Sequence, residues 1–327
     1  MPDKAEDHRP PIVESLDINA VAPLVPTRFR VVMTENATGN ESLVPVIVLR
    51  AADPHPVVGL TAAIHGNELN GIRVIHQLLR NLGKVELRRG TLVAVPIVNI
   101  PGYLRQQREF EDGVDLNRIM PGKPNGTESQ LYARRFVDRV LSRFEYLIDL
   151  HTASEGRVNT LYVRADMKDE ATARLARLLA PQIIVHSQGH DGTLRGAAED
   201  LGIRAVTVEV GDPQRFQQGM VREARLGLQE VLEYLKMLPD ISNPVDRDVV
   251  ECSRSYWMYT DRGGMLSVKV RLGDVVEKGQ IIAELHNVWG DVVRKYIAPE
   301  DGIIVGKATN PAARAGSRII HLGVIAA

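Results

Sequence analysis

Residues 57–64 form a run rich in apolar side chains that stops at His65-Gly66-Asn67-Glu68. Apolar residues then recur at helical spacing, at Ile72, Val74, Ile75, Leu78, Leu79 and Leu82, with Gly83 placed to cap the helix. A strand without a polar face is covered on both sides, which is the texture of a parallel sheet. The same change of period recurs along the chain. Strand patterns at residues 91–98, 146–150, 160–163, 183–186 and 203–210 alternate with helical patterns at 127–144, 168–179, 194–201 and 215–238. This alternation predicts an α/β fold, a mostly parallel mixed sheet with helices on both faces. Two earlier β-type runs, 29–34 and 43–50, read as a hairpin. Residues 1–26 carry five prolines and read as an irregular arm, and the polar, Gly- and Pro-containing stretch 99–127 reads as a long loop of the kind that holds either function or disorder.

Past Pro239 and Pro244 the text changes. From Gly263 it consists of short β runs split by glycine, which predicts a small all-β barrel or sandwich. The expected domains are therefore a catalytic unit, 1–243, and a β unit, 244–327, and 327 residues suffice for both cores. A formal net charge of -1 implies no general pull toward nucleic acid or an anionic membrane. The single cysteine, Cys252, precludes an internal disulfide, the first ten residues have no apolar signal core, and no apolar run is long enough to cross a bilayer. A soluble cytoplasmic protein is expected.

The strand ends carry the chemistry. An imidazole at His65 and a carboxylate three residues later can face one point. With His151, at the end of Ile148-Asp149-Leu150-His151, they would give Zn²⁺ three protein donors and leave a fourth position open. Each has a plain structural alternative: Glu68 suits a helix start, and a single strand-end histidine is commonly a hydrogen-bonded core residue. Asp149 stands two residues before His151 and can accept its second N–H. The loop segment Asp115-Leu116-Asn117-Arg118 offers a carboxylate, an amide and a guanidinium suited to gripping a carboxylate, or else a solvated tip. Glu209 ends the apolar strand Val206-Thr207-Val208-Glu209-Val210, where burial of a carboxylate calls for a partner or a purpose; a general base beside a metal is the favoured one.

In that order, His65-Gly66-Asn67-Glu68, Asp115-Leu116-Asn117-Arg118, Asp149-Leu150-His151 and Val208-Glu209-Val210-Gly211 resemble the succinylglutamate desuccinylase/aspartoacylase family, a branch of the zinc carboxypeptidase fold. The resemblance covers residues 57–327. It implies one zinc per chain on His65, Glu68 and His151, with Glu209 as general base and proton shuttle. It also implies Asn117 and Arg118 on the substrate carboxylate, and Asp115 orienting the first zinc histidine. Arg108 resembles the family arginine that polarises the scissile carbonyl, with Arg105 as the competitor for that place, and Arg195 falls near a substrate-binding arginine of some relatives. The implied activity is hydrolysis of an N-acyl amino acid; alternatives are a carboxypeptidase acting on short peptides and a non-catalytic zinc-binding relative. More than fifty residues precede the first motif, unlike aspartoacylase-type chains, so aspartate specificity is not carried over. The layout is closer to bacterial deacylases of amino-acid derivatives, the N-acetyl-diaminobutyrate deacetylases among them.

The β unit resembles a biotinyl/lipoyl-type barrel, in which a hairpin tip presents a modified lysine. Here the tip reads His286-Asn287-Val288-Trp289-Gly290-Asp291 and Lys295 lies deeper, so no swinging arm is expected. The unit is expected to shape substrate access or to support a homo-oligomer.

Overall fold

A computed structural model describes residues 9–82, 87–240 and 248–326. The amino-terminal elements are β1 (Ile12–Val13), β2 (Thr27–Glu35), β3 (Glu41–Arg50), β4 (Val57–Ala62), α1 (Asn70–Leu82), β5 (Thr91–Val95), α2 (Ile100–Arg105), α3 (Glu128–Arg139) and β6 (Tyr146–His151). They are followed by β7 (Arg157–Asn159), β8 (Leu161–Ala165), α4 (Glu170–Leu178), β9 (Ile183–His186), α5 (Leu194–Asp200), β10 (Arg204–Val210) and α6 (Gln218–Tyr234). The remainder is β: β11 (Val250–Tyr259), β12 (Gly264–Val268), β13 (Val275–Val276), β14 (Ile281–His286), β15 (Val292–Ile297), β16 (Gly302–Ala308), β17 (Ala312–Ala313) and β18 (Arg318–Ile325).

The sheet is mixed, as expected. Its order is β1-β2-β3-β5-β4-β6-β10-β8-β9-β11-β18-β16-β13, with β7 hydrogen-bonded to β16. The central strands β5, β4, β6 and β10 run parallel, so their carboxyl ends share one edge. After β4 the chain goes to β5 on one side and then returns to β6 on the other. This reversal opens a crevice at the strand ends, the usual place for a ligand in such sheets. Every residue of β4 and β5 is buried, which confirms the reading of an apolar run as a two-sided strand. One core packs α1, α4 and α6 on one face of the sheet, and a second packs α3, α5 and the arm residues Leu16 and Val21 on the other. The arm is thus part of the fold: Ile12 and Val13 pair in parallel with β2, and the Leu16 N–H donates to the Arg139 carbonyl.

Several expectations need correction. The stretch 99–127 is not wholly irregular: Asn99 caps α2 by accepting from the Gly102 N–H, and Leu116–Arg118 forms a 3-10 turn capped by Asp115. Pro101 and Gly102 concealed the first of these, although proline is well tolerated in a first helical turn. The final helix of the amino-terminal part begins at Gln218 rather than 215. Strand β11 was missed because its pattern, Val250-Glu251-Cys252-Ser253-Arg254-Ser255, mixes burial and polarity; it pairs in parallel with β9 and antiparallel with β18. The large sheet therefore runs on into the β unit. A separate antiparallel sheet, β15-β14-β12-β17, encloses a small core that includes Leu266, Ile282, Leu285 and Ile320. The Gly83 cap, Pro244 and the 243/244 boundary lie outside the described residues. Lys295 sits within β15 opposite Glu284 and not at the tip.

Candidate active site

Just past strand β4, Ala63 sits in the left-handed region, at φ 50°, a conformation that costs an L-residue roughly 1–2 kcal/mol. The Val98 and Asn99 N–H groups donate to the Ala62 and Ala63 carbonyls and hold the chain there. A turn follows, closed by the Glu68 N–H donating to the His65 carbonyl at 3.1 Å. It packs so closely on α2 that a Cβ at Gly66 would lie 2.0 Å from the Gly102 carbonyl carbon. Neither backbone can yield, so Gly66→Ala is expected to destabilise the fold by about 1–3 kcal/mol in urea titration and to weaken metal binding with it. An unchanged urea midpoint would contradict this packing. Asn70, fully buried, fixes the next turn: its Nδ2 donates to the Val210 carbonyl at 2.7 Å and its Oδ1 accepts from the Gln217 N–H.

His65, Glu68 and His151 converge. One ligand atom from each lies within 4.8 Å of the others, and all three residues are buried. The Glu68 carboxylate stands between the rings, with Oε1 2.8 Å from His65 Nδ1 and Oε2 3.1 Å from His151 Nδ1. The far nitrogens face carboxylates: His65 Nε2 meets Asp115 at 3.2 Å, and His151 Nε2 meets Asp149 at 2.7 Å. A carboxylate only accepts, so each Nε2 carries the proton and a neutral ring turns a bare Nδ1 lone pair toward Glu68. Lone pair then faces lone pair unless a cation lies between them. His65 Nδ1 is in fact buried without a hydrogen bond, its approach to Glu68 being misdirected for one. Two imidazoles and a carboxylate suit a divalent ion of the zinc type. The electrostatics agree. Burial would raise the Glu68 carboxyl, yet the adjoining imidazoles hold it well below the usual range. Burial would lower His151, yet Asp149 and Glu68 push it well up, as if a proton stood in for the metal. Asp149 is itself steadied by the Thr61 hydroxyl at 2.6 Å.

Arg108 lies in this site and Arg105 does not. Arg108 reaches Asp115 Oδ2 at 2.8 and 3.1 Å, the Ser154 hydroxyl at 2.8 Å and Glu68 Oε1 at 3.2 Å. Arg105 is paired with Glu111. Asp115 therefore bridges His65 and Arg108; burial opposes its charge, but those two partners hold it well below the ordinary aspartate value. Asn117 Oδ1 accepts from the Leu194 N–H at 2.7 Å, so its amide is fixed in one orientation, and exposed Arg118 donates to the Asn117 carbonyl. Arg195 lines the same cleft, but its guanidinium donates to the Ser187 carbonyl at 2.6 Å and to the Gln188 carbonyl at 2.8 Å. Glu209 is the neighbour of His151 across the parallel ladder. Its Oε2 accepts from Asn159 Nδ2 at 3.2 Å, and Arg164 stands 3.7 Å from Oε1. Burial pushes its carboxyl up despite Arg164, favouring proton uptake. Arg108, Asp115, Asn117, Arg118, Arg195 and Glu209 line one cleft of about 380 Å³ with the three converging residues, and Arg105 does not.

Residues 54–235 match the family profile of the succinylglutamate desuccinylase/aspartoacylase catalytic domain. The chain belongs to this family. Its members include deacylating amidohydrolases. The chain is 23% identical to the N-alpha-acetyl-L-2,4-diaminobutyric acid deacetylase of Halomonas elongata over 278 residues, 81% of each chain. It is 29% identical to the succinylglutamate desuccinylase of Pseudomonas paraeruginosa over 214 residues, 61% of this chain and 63% of that one. Among solved structures it superposes on the product-bound ectoine utilization protein EutE of Ruegeria pomeroyi with a TM-score of 0.81, at 21% identity, over 93% of this chain and 97% of that one. A family structure from Rhodobacter sphaeroides gives 0.80 at 24% identity, over 91% and 94% of the two chains. At such identities these two establish the shared fold.

Within this family fold, sequence reasoning had missed Asn159, Tyr162 and Arg164 around Glu209, and Arg157, Trp257 and Arg318 along the outer wall. The first set had a signal: Tyr162 and Arg164 alternate on one face of β8, two residues apart, where a core strand would be apolar. The Arg164 guanidinium donates to the Tyr162 hydroxyl at 2.6 Å and covers its ring at 5.2 Å. No described helix is long and apolar enough to cross a membrane.

Proposed function

We propose that this chain is a zinc-dependent deacylase that hydrolyses the amide bond of an N-acyl amino acid. One zinc is held by His65, Glu68 and His151, with Asp115 and Asp149 orienting the imidazoles. The observation that carries this reading is the paired imidazoles, each tied through Nε2 to a carboxylate and turned through Nδ1 to Glu68. Bound zinc in such a site activates water and polarises a carbonyl. Glu209 takes a proton from the attacking water and returns it to the leaving amine. Arg108, held in place by Asp115 and Ser154, stabilises the charge that develops on the scissile carbonyl oxygen. Asn117 and Arg118 grip the amino-acid carboxylate, and Arg195 supports the loop beside them. The cleft matches the size of a single small ligand. A panel of acylated amino acids and short peptides, offered to zinc-loaded protein and again after chelation, tests the reading. Release of free amine from acylated amino acids, abolished by chelation and restored by zinc, is expected. Stoichiometric zinc with no hydrolysis of any member would refute it.

A further inference from the structure

The cleft holds more positive charge than the fold neutralises. Arg108 is matched by Asp115, Arg164 stands beside Glu209, and Arg195 is engaged by carbonyls. Arg157, on β7, and Arg318, at the start of β18, differ. Their guanidinium carbons lie over the Trp257 ring of β11, 5.7 and 5.3 Å from its centroid. Among the described residues neither has a carboxylate within 4.0 Å or a hydrogen-bond acceptor. Burial together with Arg318 and Arg108 pushes the Arg157 guanidinium down to about 10, still charged at neutral pH. Trp257 is a firm seat, stacked at 5.1 Å and 12° on buried His321, whose Nε2 lies 2.8 Å from the Ser255 hydroxyl. A guanidinium resting on an aromatic face keeps its N–H edge free for a carboxylate. Glu209 and Glu68 attract Arg157 only from beyond ion-pair distance; neighbouring cations without a carboxylate in contact, lining a cleft, are complementary to an incoming anion.

We propose that Arg157 and Arg318, seated on Trp257, form a second anion subsite that takes a substrate carboxylate other than the one gripped by Asn117 and Arg118. The proposal rests on the deacylase reading and narrows its substrate class. Preferred substrates carry a further carboxylate, at the end of the acyl chain or on the amino-acid side chain, and cationic side chains are repelled.

Matched pairs test this. N-acetylglutamate against N-acetylglutamine probes the side chain, N-succinylalanine against N-butyrylalanine probes the acyl chain, and N-acetyl-2,4-diaminobutyrate supplies the cation. Zinc-loaded wild type is expected to favour the charged member of at least one pair by about 10- to 100-fold in kcat/KM, the worth of a charged hydrogen bond. Replacing both arginines, Arg157→Gln with Arg318→Gln, should bring that ratio toward one. The neutral member of each pair serves as the control for folding. Equal rates within both pairs, a preference that survives the double substitution, or faster cleavage of the diaminobutyrate compound would overturn the subsite. Calorimetric binding of succinate against butyrate and of glutamate against glutamine gives a readout without turnover. Charge-dependent binding lost in the double variant, with no amide cleaved, sustains the subsite and refutes the deacylase; cleavage without charge preference does the reverse.

Discussion

Glu209→Gln is expected to lower kcat by about 10²- to 10⁴-fold, the usual contribution of a positioned general base, while zinc stoichiometry stays at one per chain. The substitution keeps the size of the side chain and its contact with Asn159 but removes the capacity to accept a proton. Because Glu209 is not among the three converging donors, metal content should not change. This separation is the point of the experiment, since loss of activity together with zinc would assign Glu209 to the metal instead. A fully active, zinc-loaded Glu209→Gln enzyme would remove the carboxylate from the reaction. Arg164→Gln provides a milder companion, in which the Glu209 carboxylate loses its nearby cation.

Glu68→Ala should abolish both tight zinc binding and hydrolysis. The carboxylate stands between two imidazoles, and without it the remaining donors are two nitrogens, too few for a stable zinc site. Zinc held by the folded chain would stabilise it by mass action, by about 4 kcal/mol at a free concentration a thousandfold above Kd. Wild-type protein should therefore melt at a lower temperature after chelation, and Glu68→Ala should no longer respond to zinc or to chelator. Metal titration followed by calorimetry and thermal melting reads all three effects. Retention of zinc-dependent melting in this variant would place the metal elsewhere.

The amino-acid text by itself determined the alternation of strand and helix, because burial on both faces of a strand leaves an unbroken apolar run and an amphipathic helix leaves a 3.6-residue period. It also determined that His65, His151 and Glu209 stand at strand ends, since each polar residue interrupts or terminates such a run. Those are local patterns, so the three converging residues and the carboxylate at Glu209 were legible. Which face each side chain would meet was not. The choice of Arg108 over Arg105 depended on α2, which turns Arg105 out to Glu111 and leaves Arg108 beside Asp115. The outer wall was decided only in three dimensions. Arg157, Trp257 and Arg318 come from β7, β11 and β18, and they meet because β11 carries the central sheet into the β unit and β18 pairs with it. Pairing between strands far apart in the chain depends on the packing of the whole fold and leaves no short-range period to read.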